Sequence, residues 1–522
     1  MTEQDKWFKR RWFALAFLLF SLLVIALDNT ILNLALPSIA KELGATATSL
    51  QWIVDSYILV FASLLLTVGS IGDRLGRKRV LQIGLIVFGL FSLGAALSRS
   101  TGSLISMRAL LGIGGALIMP STLSILTSLF RDSKERAQAI AFWAATFALG
   151  LGIGPLVGGW LLSHFHWSSV FYINLPVVLV ALIGGFFFVQ ESKSEHPRPI
   201  DVPGCILSMT GMFALVHGII QAGSNGWTAY NVLFSFVASI LLLTLFAIRE
   251  LHTPHPMLPL RFFKNMSFTG ASVALTLVTF SMFGSFFFLS QYLQSVQVYT
   301  PLQTGVRLLP MAISVFVGAA ISARLARLIG TKLIVTLGIL TAAGGLFYFS
   351  RVANVDTSYL LVALGMCIIG LGIGFTMSPA TNSVMGSIPT DEAGVGAAMN
   401  DTTRQIGGAL GVAILGTLLN SAYVHRLDQV VWPNQIPEQL LATIRSSVQG
   451  AHGVAANIPN PQLAQLIVSN ADQAFTFGMS YALLVAAIIM AATAVLALVF
   501  LPTKVQPYNE PKRLIEPREP YK

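Results

Sequence analysis

The chain has 522 residues, of which 54% are hydrophobic and 10% are charged. The charged share is far below the roughly 25% that is usual in soluble proteins. Apolar runs of about 20 residues recur along the whole length, each long enough to cross a bilayer as a helix. The composition therefore excludes a soluble protein and predicts an all-α polytopic membrane protein. The net charge of +10 does not call for a nucleic-acid partner, because the positive residues lie in short loops, as membrane topology requires.

The apolar pattern predicts fourteen membrane spans. Lys6, Lys9, Arg10 and Arg11 precede the first apolar run, which has no small-residue cleavage site and is therefore a span, not a signal peptide. The predicted spans form two groups of six separated by an inserted pair: roughly 13–36, 51–71, 80–98, 103–129, 138–162 and 169–190; then 203–223 and 229–249; then 269–293, 303–326, 332–350, 358–386, 397–423 and 475–501.

This division predicts an N-terminal six-helix bundle over 1–195, two inserted helices with a linker over 196–265, a C-terminal bundle over 266–503 and a tail over 504–522. The long loop 425–472 belongs to the second bundle, and the helical apolar spacing over Pro437–Val448 predicts either a small folded cap or a solvated loop. An internal repeat supports the two groups. Arg327–Lys332 matches Asp73–Lys78 at the glycine and at the final lysine, between equivalent spans.

The lysines and arginines predict the orientation. Most of the 32 fall on the side of the N-terminus, which the positive-inside rule assigns to the cytoplasm. Both termini are then cytoplasmic in a cell (inner) membrane. The exceptions are five residues on the other side and three within spans: Lys41, Arg99, Arg351, Arg426 and Arg445; Arg108, Arg307 and Arg404.

Four motifs follow one another along the first five spans. They are the charged loop Gly69–Leu81, the first-span stretch Leu27–Pro37, the fourth-span stretch Arg108–Ala116 and the fifth-span stretch Gly150–Gly159. In order and place they are similar to the motifs of the major facilitator superfamily. With fourteen spans the chain resembles the drug:proton antiporters that carry two additional central helices.

The resemblance implies a major facilitator fold, in which two six-helix bundles rock about a central cavity. It also implies that proton influx drives export of lipophilic, often cationic drugs such as quaternary ammonium compounds, dyes and antiseptics. We expect a functional monomer whose partners are drugs, protons and the lipid bilayer, with no cofactor and no metal.

Three charged residues are the candidates for proton coupling. Asp28 lies about 24 Å along the first helix, where an ionised acid is costly and is usually functional or paired. Arg108 falls in the same outer half, so we expect the two side chains to be neighbours. Asp401 is a second membrane acid that would face the cavity from the other bundle. The alternatives are a structural acid, a structural tether and a simple pair between Asp401 and Arg404 one helical turn away.

The candidate substrate contacts are acids and aromatic residues. Asp28 and Asp55 could attract a cation, and Asp55 is expected at the outer start of the second span, within reach of water. Aromatic side chains could stack on flat cations, although most aromatic residues in spans face lipid or neighbouring helices: Trp52, Tyr57, Phe283, Phe286 and Tyr292.

Two glycine-rich motifs are expected to control helix movement. The loop is predicted to act as a latch, in which Asp73 caps a helix or pairs with an arginine; its members are Gly69, Asp73, Arg74, Gly76, Arg77 and Lys78. In the fifth span small residues let helices approach closely and a proline bends the helix; the motif consists of Gly150, Gly154, Pro155, Gly158 and Gly159. Ordinary tight packing explains these glycines equally well.

The chain shows no enzyme constellation. It has no GxxxxGK phosphate loop for ATP-driven export, and His164 with His166 falls at a membrane interface. The alternatives to drug export are export of a physiological solute such as a lipid or metabolite, a membrane-embedded enzyme and a membrane sensor that transports nothing.

Overall fold

A computed structural model describes residues 3–130, 132–193, 201–253, 256, 258, 260–388, 393–433 and 436–502. Within these ranges some side chains, including that of Asp73, lie outside the description. The described elements are helices: α1 Glu3–Leu43, α2 Ala47–Leu75, α3 Arg77–Ala96, α4 Thr101–Leu129, α5 Ser133–His164, α6 Ser169–Tyr172, α7 Asn174–Phe188, α8 Val202–Asn225, α9 Tyr230–His252, α10 Met266–Gln291, α11 Pro301–Ile329, α12 Thr331–Val352, α13 Tyr359–Gly386, α14 Ala393–Asp428, α15 Glu438–Ser446, α16 Val448–Ala456 and α17 Pro461–Phe500.

The prediction of an all-α membrane protein is confirmed. In the described part of the chain, thirteen helical segments are long and apolar enough to cross a membrane. Helix α5, of 32 residues, occupies the position of the predicted fifth span. Together with α5 these segments make fourteen in the described part of the chain. Because fourteen is even, the last helix, α17, ends on the face of the membrane where α1 begins. We call this the terminal face and the other the distal face.

The helices pack as two groups with the inserted pair between them. Helices α1 to α7 contact one another, as do α10 to α14 with α17. The groups meet where α2 packs against α14 and where α5 packs against α11. Helix α8 packs against both α2 and α14, and α9 packs on α8. The inserted pair therefore covers one of the two seams between the groups.

The internal repeat is visible in backbone geometry. Gly76 and Gly330 are the matched glycines, and each one ends a helix and begins the next with a positive φ, of 111° and 85° respectively. Farther along, Gly84 of α3 lies against the backbone of Gly114, and Gly338 of α12 lies against that of Gly372. The two groups thus share one packing plan, as the sequence match indicated.

Two helix boundaries differ from the predicted spans for local reasons. The sixth span is divided into α6 and α7 near Ile173, because Pro176 has no N–H to donate to the carbonyl oxygen of Tyr172. The last helix begins at Pro461, well before the predicted residue 475. Asn460 caps it by accepting hydrogen bonds from two backbone N–H groups, and proline is favourable at the first helical position.

The long distal loop folds as a cap, which resolves the two alternatives that the sequence left open. Its helices α15 and α16 pack against each other, and α16 also contacts α1 and α17. Ile444 is fully buried, and its carbonyl oxygen accepts a 2.8 Å hydrogen bond from the Tyr423 hydroxyl. Gln449 donates to Gln291 and Ser295 at 3.2 Å. The cap is thereby fixed to the ends of α10 and α14.

Candidate functional site

A cavity lies between the two groups of helices. Its empty space, including the part that is open to solvent, is about 1230 Å³. Aromatic, methionine and aliphatic side chains form most of the wall, and a smaller polar patch comes from α1 and α14. The lining residues are Asn29, Thr30, Asn33, Met119, Gly152, Pro155, Thr279, Met282, Phe283, Phe286, Leu308, Met311, Ala312, Val315, Phe316, Ala319, Asp401, Arg404 and Gln405. An apolar wall with a few convergent polar groups is typical of a small-molecule site.

Asp28 and Arg108 form a buried ion pair beside this cavity. Arg108 Nη1 lies 2.5 Å from Asp28 Oδ2, and each side chain is 2% exposed. The expected proximity of the two residues is therefore found. Arg108 also donates from Nε to the carbonyl oxygen of Ile53 at 3.1 Å, and its guanidinium lies 4.4 Å from the ring centroid of Tyr57. The arginine is thus held by a charge, a carbonyl group and an aromatic face.

The second oxygen of Asp28 has a partner that the sequence argument missed. Asn174 of α7 donates from Nδ2 to Asp28 Oδ1 at 3.3 Å and to the Ser92 hydroxyl at 3.0 Å. Ser92 in turn donates to the carbonyl oxygen of Phe171 at 2.9 Å. This chain of hydrogen bonds connects α1, α3 and α7. An asparagine inside an otherwise apolar span was the one sequence signal that could have pointed to it.

Asp401 and Arg404 meet in the wall of the cavity. Arg404 Nη1 lies 3.8 Å from Asp401 Oδ1, and both side chains are largely buried. The pair between these residues is therefore present, and both also face the cavity. They are the charged groups among the described lining residues, so this part of the wall carries one acid and one base.

Of the aromatic residues predicted to contact substrate, some line the cavity and others pack elsewhere. Phe283 lines the cavity, as does Phe286. Trp52 instead packs against Phe213 and His217 of α8. Tyr57 stacks on Phe61 beneath Arg108, with ring centroids 5.6 Å apart. Helix α8 therefore occupies the space where Trp52 was expected to meet a ligand.

Asp55 and Tyr292 also lie away from the described cavity wall. Tyr292 is fully buried, and its hydroxyl donates to the carbonyl oxygen of Asn354 at 2.8 Å. The expectation that water reaches Asp55 is wrong: the residue is 0% exposed, because α4, α8 and α14 all pack on α2. Neither of its carboxylate oxygens has a hydrogen-bond partner among the described residues.

The predicted charged loop Gly69–Leu81 is a tight turn at Gly76, because α2 ends at Leu75 and α3 begins at Arg77. It is fastened within its own group of helices. Gly69 lies within α2. The Asp73 side chain lies outside the description, so its predicted role stays a prediction. Glu191, which follows α7, accepts hydrogen bonds from the backbone N–H groups of Lys78 at 3.1 Å and Arg79 at 3.3 Å. The N-terminus of α3 is thus capped by an acid from another helix, which also suits the helix dipole.

Basic residues of the same loop attach to neighbouring helix ends. Lys78 Nζ donates to the carbonyl oxygen of Phe186 at 2.8 Å, and Arg77 Nη1 donates to that of Ser124 at 3.4 Å. Cations are favourable near helix C-termini. Arg74 makes an interaction with a group outside the description. The loop therefore joins the terminal-face ends of α3, α4 and α7.

The fifth-span glycines lie at close helix contacts, as their size predicts. A Cβ atom on Gly150, Gly154 or Gly158 would meet α1 side chains, and one on Gly159 would lie 2.7 Å from the carbonyl oxygen of Pro301 on α11. Pro155 lines the cavity. Helix α5 therefore packs on α1 within its group and on α11 across the seam.

Hydrogen bonds between the two groups close the distal side of the cavity. They join α2 to α14, α1 to the end of α10, and α5 to α11. These bonds are Gln51 to the carbonyl oxygens of Val412 and Ala413, Ser290 to that of Asn33, Gln294 to that of Leu34, and the Leu302 N–H to the Ser163 hydroxyl. Their donors and acceptors lie on the distal halves of the helices. The structure is therefore sealed on the distal face.

Two groups of helices with one packing plan and a cavity between them define a membrane transporter. The family model of the Major Facilitator Superfamily matches residues 18–412. The chain belongs to this superfamily.

Relatives support this assignment over nearly the whole length. The chain is 37% identical over 493 residues to the multidrug efflux pump LfrA of Mycolicibacterium smegmatis, covering 94% of this chain and 96% of the relative. It is 31% identical to the methyl viologen resistance protein SmvA of Salmonella typhimurium, covering 91% and 95%. In fold it is similar to a bacterial homologue of the human lysosomal transporter Spinster, with a TM-score of 0.66, 16% identity and coverage of 94% and 98%.

Proposed function

We propose that the protein exports lipophilic, cationic drugs from the cytoplasm in exchange for protons. The observation that carries the proposal is the cavity between the two groups, where Asp401 stands among Phe283, Phe286 and methionine side chains. Aromatic faces and a carboxylate together suit a flat or quaternary cation. The names of the relatives, a multidrug efflux pump and a methyl viologen resistance protein, support the same class of substrate.

Asp28 and Arg108 are the proposed proton-coupling pair. A proton that binds Asp28 would remove the negative charge that faces Arg108 at 2.5 Å. Because a buried charge without a partner is costly, the arginine would then favour another arrangement of α1, α2 and α4. Asp401 is the second proposed acid. Its carboxylate would release Arg404 and bind a proton or a cationic drug in its place.

The proposed cycle is alternating access in the inner membrane, with both termini in the cytoplasm. In that orientation the distal seal faces outward and the structure is closed to the outside. Opening the distal face requires the hydrogen bonds from Gln51, Ser290 and Gln294 to break. The predicted latch role of Gly69–Leu81 is to hold the state that follows, in which the distal face is open.

Proteoliposomes test the proposal. With an imposed pH gradient, we expect the purified protein to move ethidium and to release protons when ethidium or a quaternary ammonium compound is added. Asp28→Asn should abolish coupling, and Asp401→Asn should weaken ethidium binding. Asp356→Asn, which changes an exposed acid on the distal face, is the matched control and should transport normally. Drug antiport is refuted if the parent protein shows neither gradient-driven dye movement nor proton release.

A second candidate is export of an anionic metabolite, because Arg404 also lines the cavity. The same vesicles distinguish the two. Arg404→Gln should leave ethidium transport in place if the substrate is a cation, and a lipophilic anion such as a bile acid should then not compete with ethidium.

A further inference from the structure

Arg307 is enclosed by two tyrosine rings near the distal end of α11. Its guanidinium carbon lies 3.9 Å from the ring centroid of Tyr299 and 5.1 Å from that of Tyr359. The Tyr359 hydroxyl donates to the carbonyl oxygen of Arg307 at 3.1 Å. Tyr299 precedes α11, and Tyr359 is the first residue of α13. The two rings therefore fix the arginine at the seam between the two helices.

The positive charge of Arg307 is not balanced by the described part of the protein. Its Nε atom is buried and has no hydrogen-bond partner there. By contrast, Arg108 has an ion pair with Asp28 and Arg404 has one with Asp401. An arginine in a span is usually paired because a charge in the membrane is costly. Cation–π contact with two tyrosines offsets part of that cost and leaves the donors at the end of the side chain for a ligand.

The surroundings of Arg307 match the headgroup region of a bilayer. It is six residues beyond the start of α11 at Pro301, or about 9 Å along the helix axis, and tyrosines are enriched at membrane interfaces. Apolar side chains beside it are exposed on both helices: Val306 by 48% and Leu360 by 77%. A cation at headgroup depth next to exposed aliphatic surface suits a molecule with an anionic head and hydrocarbon tails.

We propose that Arg307, Tyr299 and Tyr359 form a binding site for the phosphodiester headgroup of an anionic phospholipid in the distal-face leaflet. The fork of a guanidinium binds phosphate oxygens through paired hydrogen bonds. The acyl chains would lie along Val306 and Leu360. The site is separate from the cavity and does not depend on what the protein exports.

Photocrosslinking in nanodiscs tests the site. The full-length protein is placed in phosphatidylcholine nanodiscs with a trace of phosphatidylglycerol that carries a diazirine on its headgroup, and the crosslinked peptides are mapped by mass spectrometry. We expect crosslinks in the peptides that contain residues 299–307 and 359–364. Added unlabelled phosphatidylglycerol should displace the probe about tenfold better than the same amount of additional phosphatidylcholine. Both lipids carry the phosphate, but the choline cation of phosphatidylcholine repels the positive charge of Arg307. Inorganic phosphate should not compete.

Variants decide whether Arg307 is the ligand. Arg307→Gln should lower crosslinking at these peptides about tenfold, and Arg307→Lys should retain part of it because the charge remains. Arg351→Gln is the matched control, since Arg351 is an exposed distal-face arginine whose guanidinium carbon lies 5.2 Å from the Phe347 ring centroid; it should change nothing at this site.

Three outcomes would overturn the proposal. Equal competition by phosphatidylcholine would show that headgroup charge is not recognised, and this result needs no variant. Competition by inorganic phosphate would indicate a site for the free anion. Unchanged crosslinking in a folded Arg307→Gln protein would exclude the arginine.

Discussion

The ion pair between Asp28 and Arg108 allows a quantitative prediction for Asp28→Asn. The change keeps the shape of the side chain and removes its charge, so Arg108 stays buried without a counter-charge. Breaking a buried pair in this way typically costs 3–5 kcal/mol. Arg108 keeps its bond to the Ile53 carbonyl oxygen and its contact with the Tyr57 ring. We therefore expect a loss near the lower end, about 3 kcal/mol.

A double-mutant cycle separates the ion pair from the shape of the site. Arg108→Gln alone should also destabilise the protein, because Asp28 is then the unpaired charge. The double variant has no uncompensated charge, so its loss should be at least about 2 kcal/mol smaller than the sum of the single losses. Denaturant unfolding of the purified protein in detergent, followed by the loss of helical circular dichroism, measures the four stabilities.

An exposed pair provides the control for this cycle. Glu438→Gln with Arg445→Gln on α15, where the Glu438 side chain is 80% exposed, should give a coupling of only about 0.2–1 kcal/mol. If Asp28→Asn is as stable as the parent, or if the coupling is no larger than that of the exposed pair, then Asp28 is already uncharged in the resting protein. The argument from a buried ion pair would then be refuted.

Three further predictions concern glycines and the distal seal. Gly76→Ala should destabilise the protein by more than the roughly 1–3 kcal/mol expected from backbone strain alone, because its Cβ would lie 2.6 Å from the carboxylate that caps α3. Gly226→Ala, with φ of 83° and open space, should show the backbone effect alone in the same unfolding assay. Gly154→Ala should lower the melting temperature strongly, because its Cβ would overlap an α1 side chain. Gly152→Ala should be tolerated, because the nearest neighbour of its Cβ would be 4.0 Å away. Equal melting temperatures of the two variants would contradict the packing argument. Gln51→Ala removes donors to two α14 carbonyl oxygens and should shift the population toward a distal-open state, seen as a longer spin-label distance between the distal ends of α2 and α14.

The sequence predicts most of the fold because each span by itself has to be long and apolar enough to cross the bilayer and has to pair its own backbone polar groups. Length and apolar content locate the helices, and the glycines at 76 and 330 locate one turn in each half. Helix ends outside the membrane are different, because they are set by local caps. Asn460 starts the last helix well outside the predicted span, and no hydropathy argument could place it.

The candidate site is only partly predictable, for a similar physical reason. The pairing of Asp28 with Arg108 follows from depth, since two opposite charges at one level of a small bundle have few other partners. Asn174 and Glu191 were missed because single polar residues carry no spacing that reveals which helix they face. Trp52 was assigned to a ligand, but its neighbours come from α8, and the docking of that inserted helix depends on tertiary packing.

Helix α1 connects the proposed proton site to the cavity and to the distal seal. Asp28 points into its own group toward Arg108, whereas the next residue, Asn29, lines the cavity together with Asn33. The carbonyl oxygens of Asn33 and Leu34 accept the hydrogen bonds that hold the end of α10. A helix moves as a unit, so a rotation of α1 that follows release of Asp28 from Arg108 would change the cavity wall and strain both seal bonds. We therefore expect coupling to depend on the rigidity of α1 between residues 28 and 34, and a glycine pair placed there should uncouple proton binding from opening.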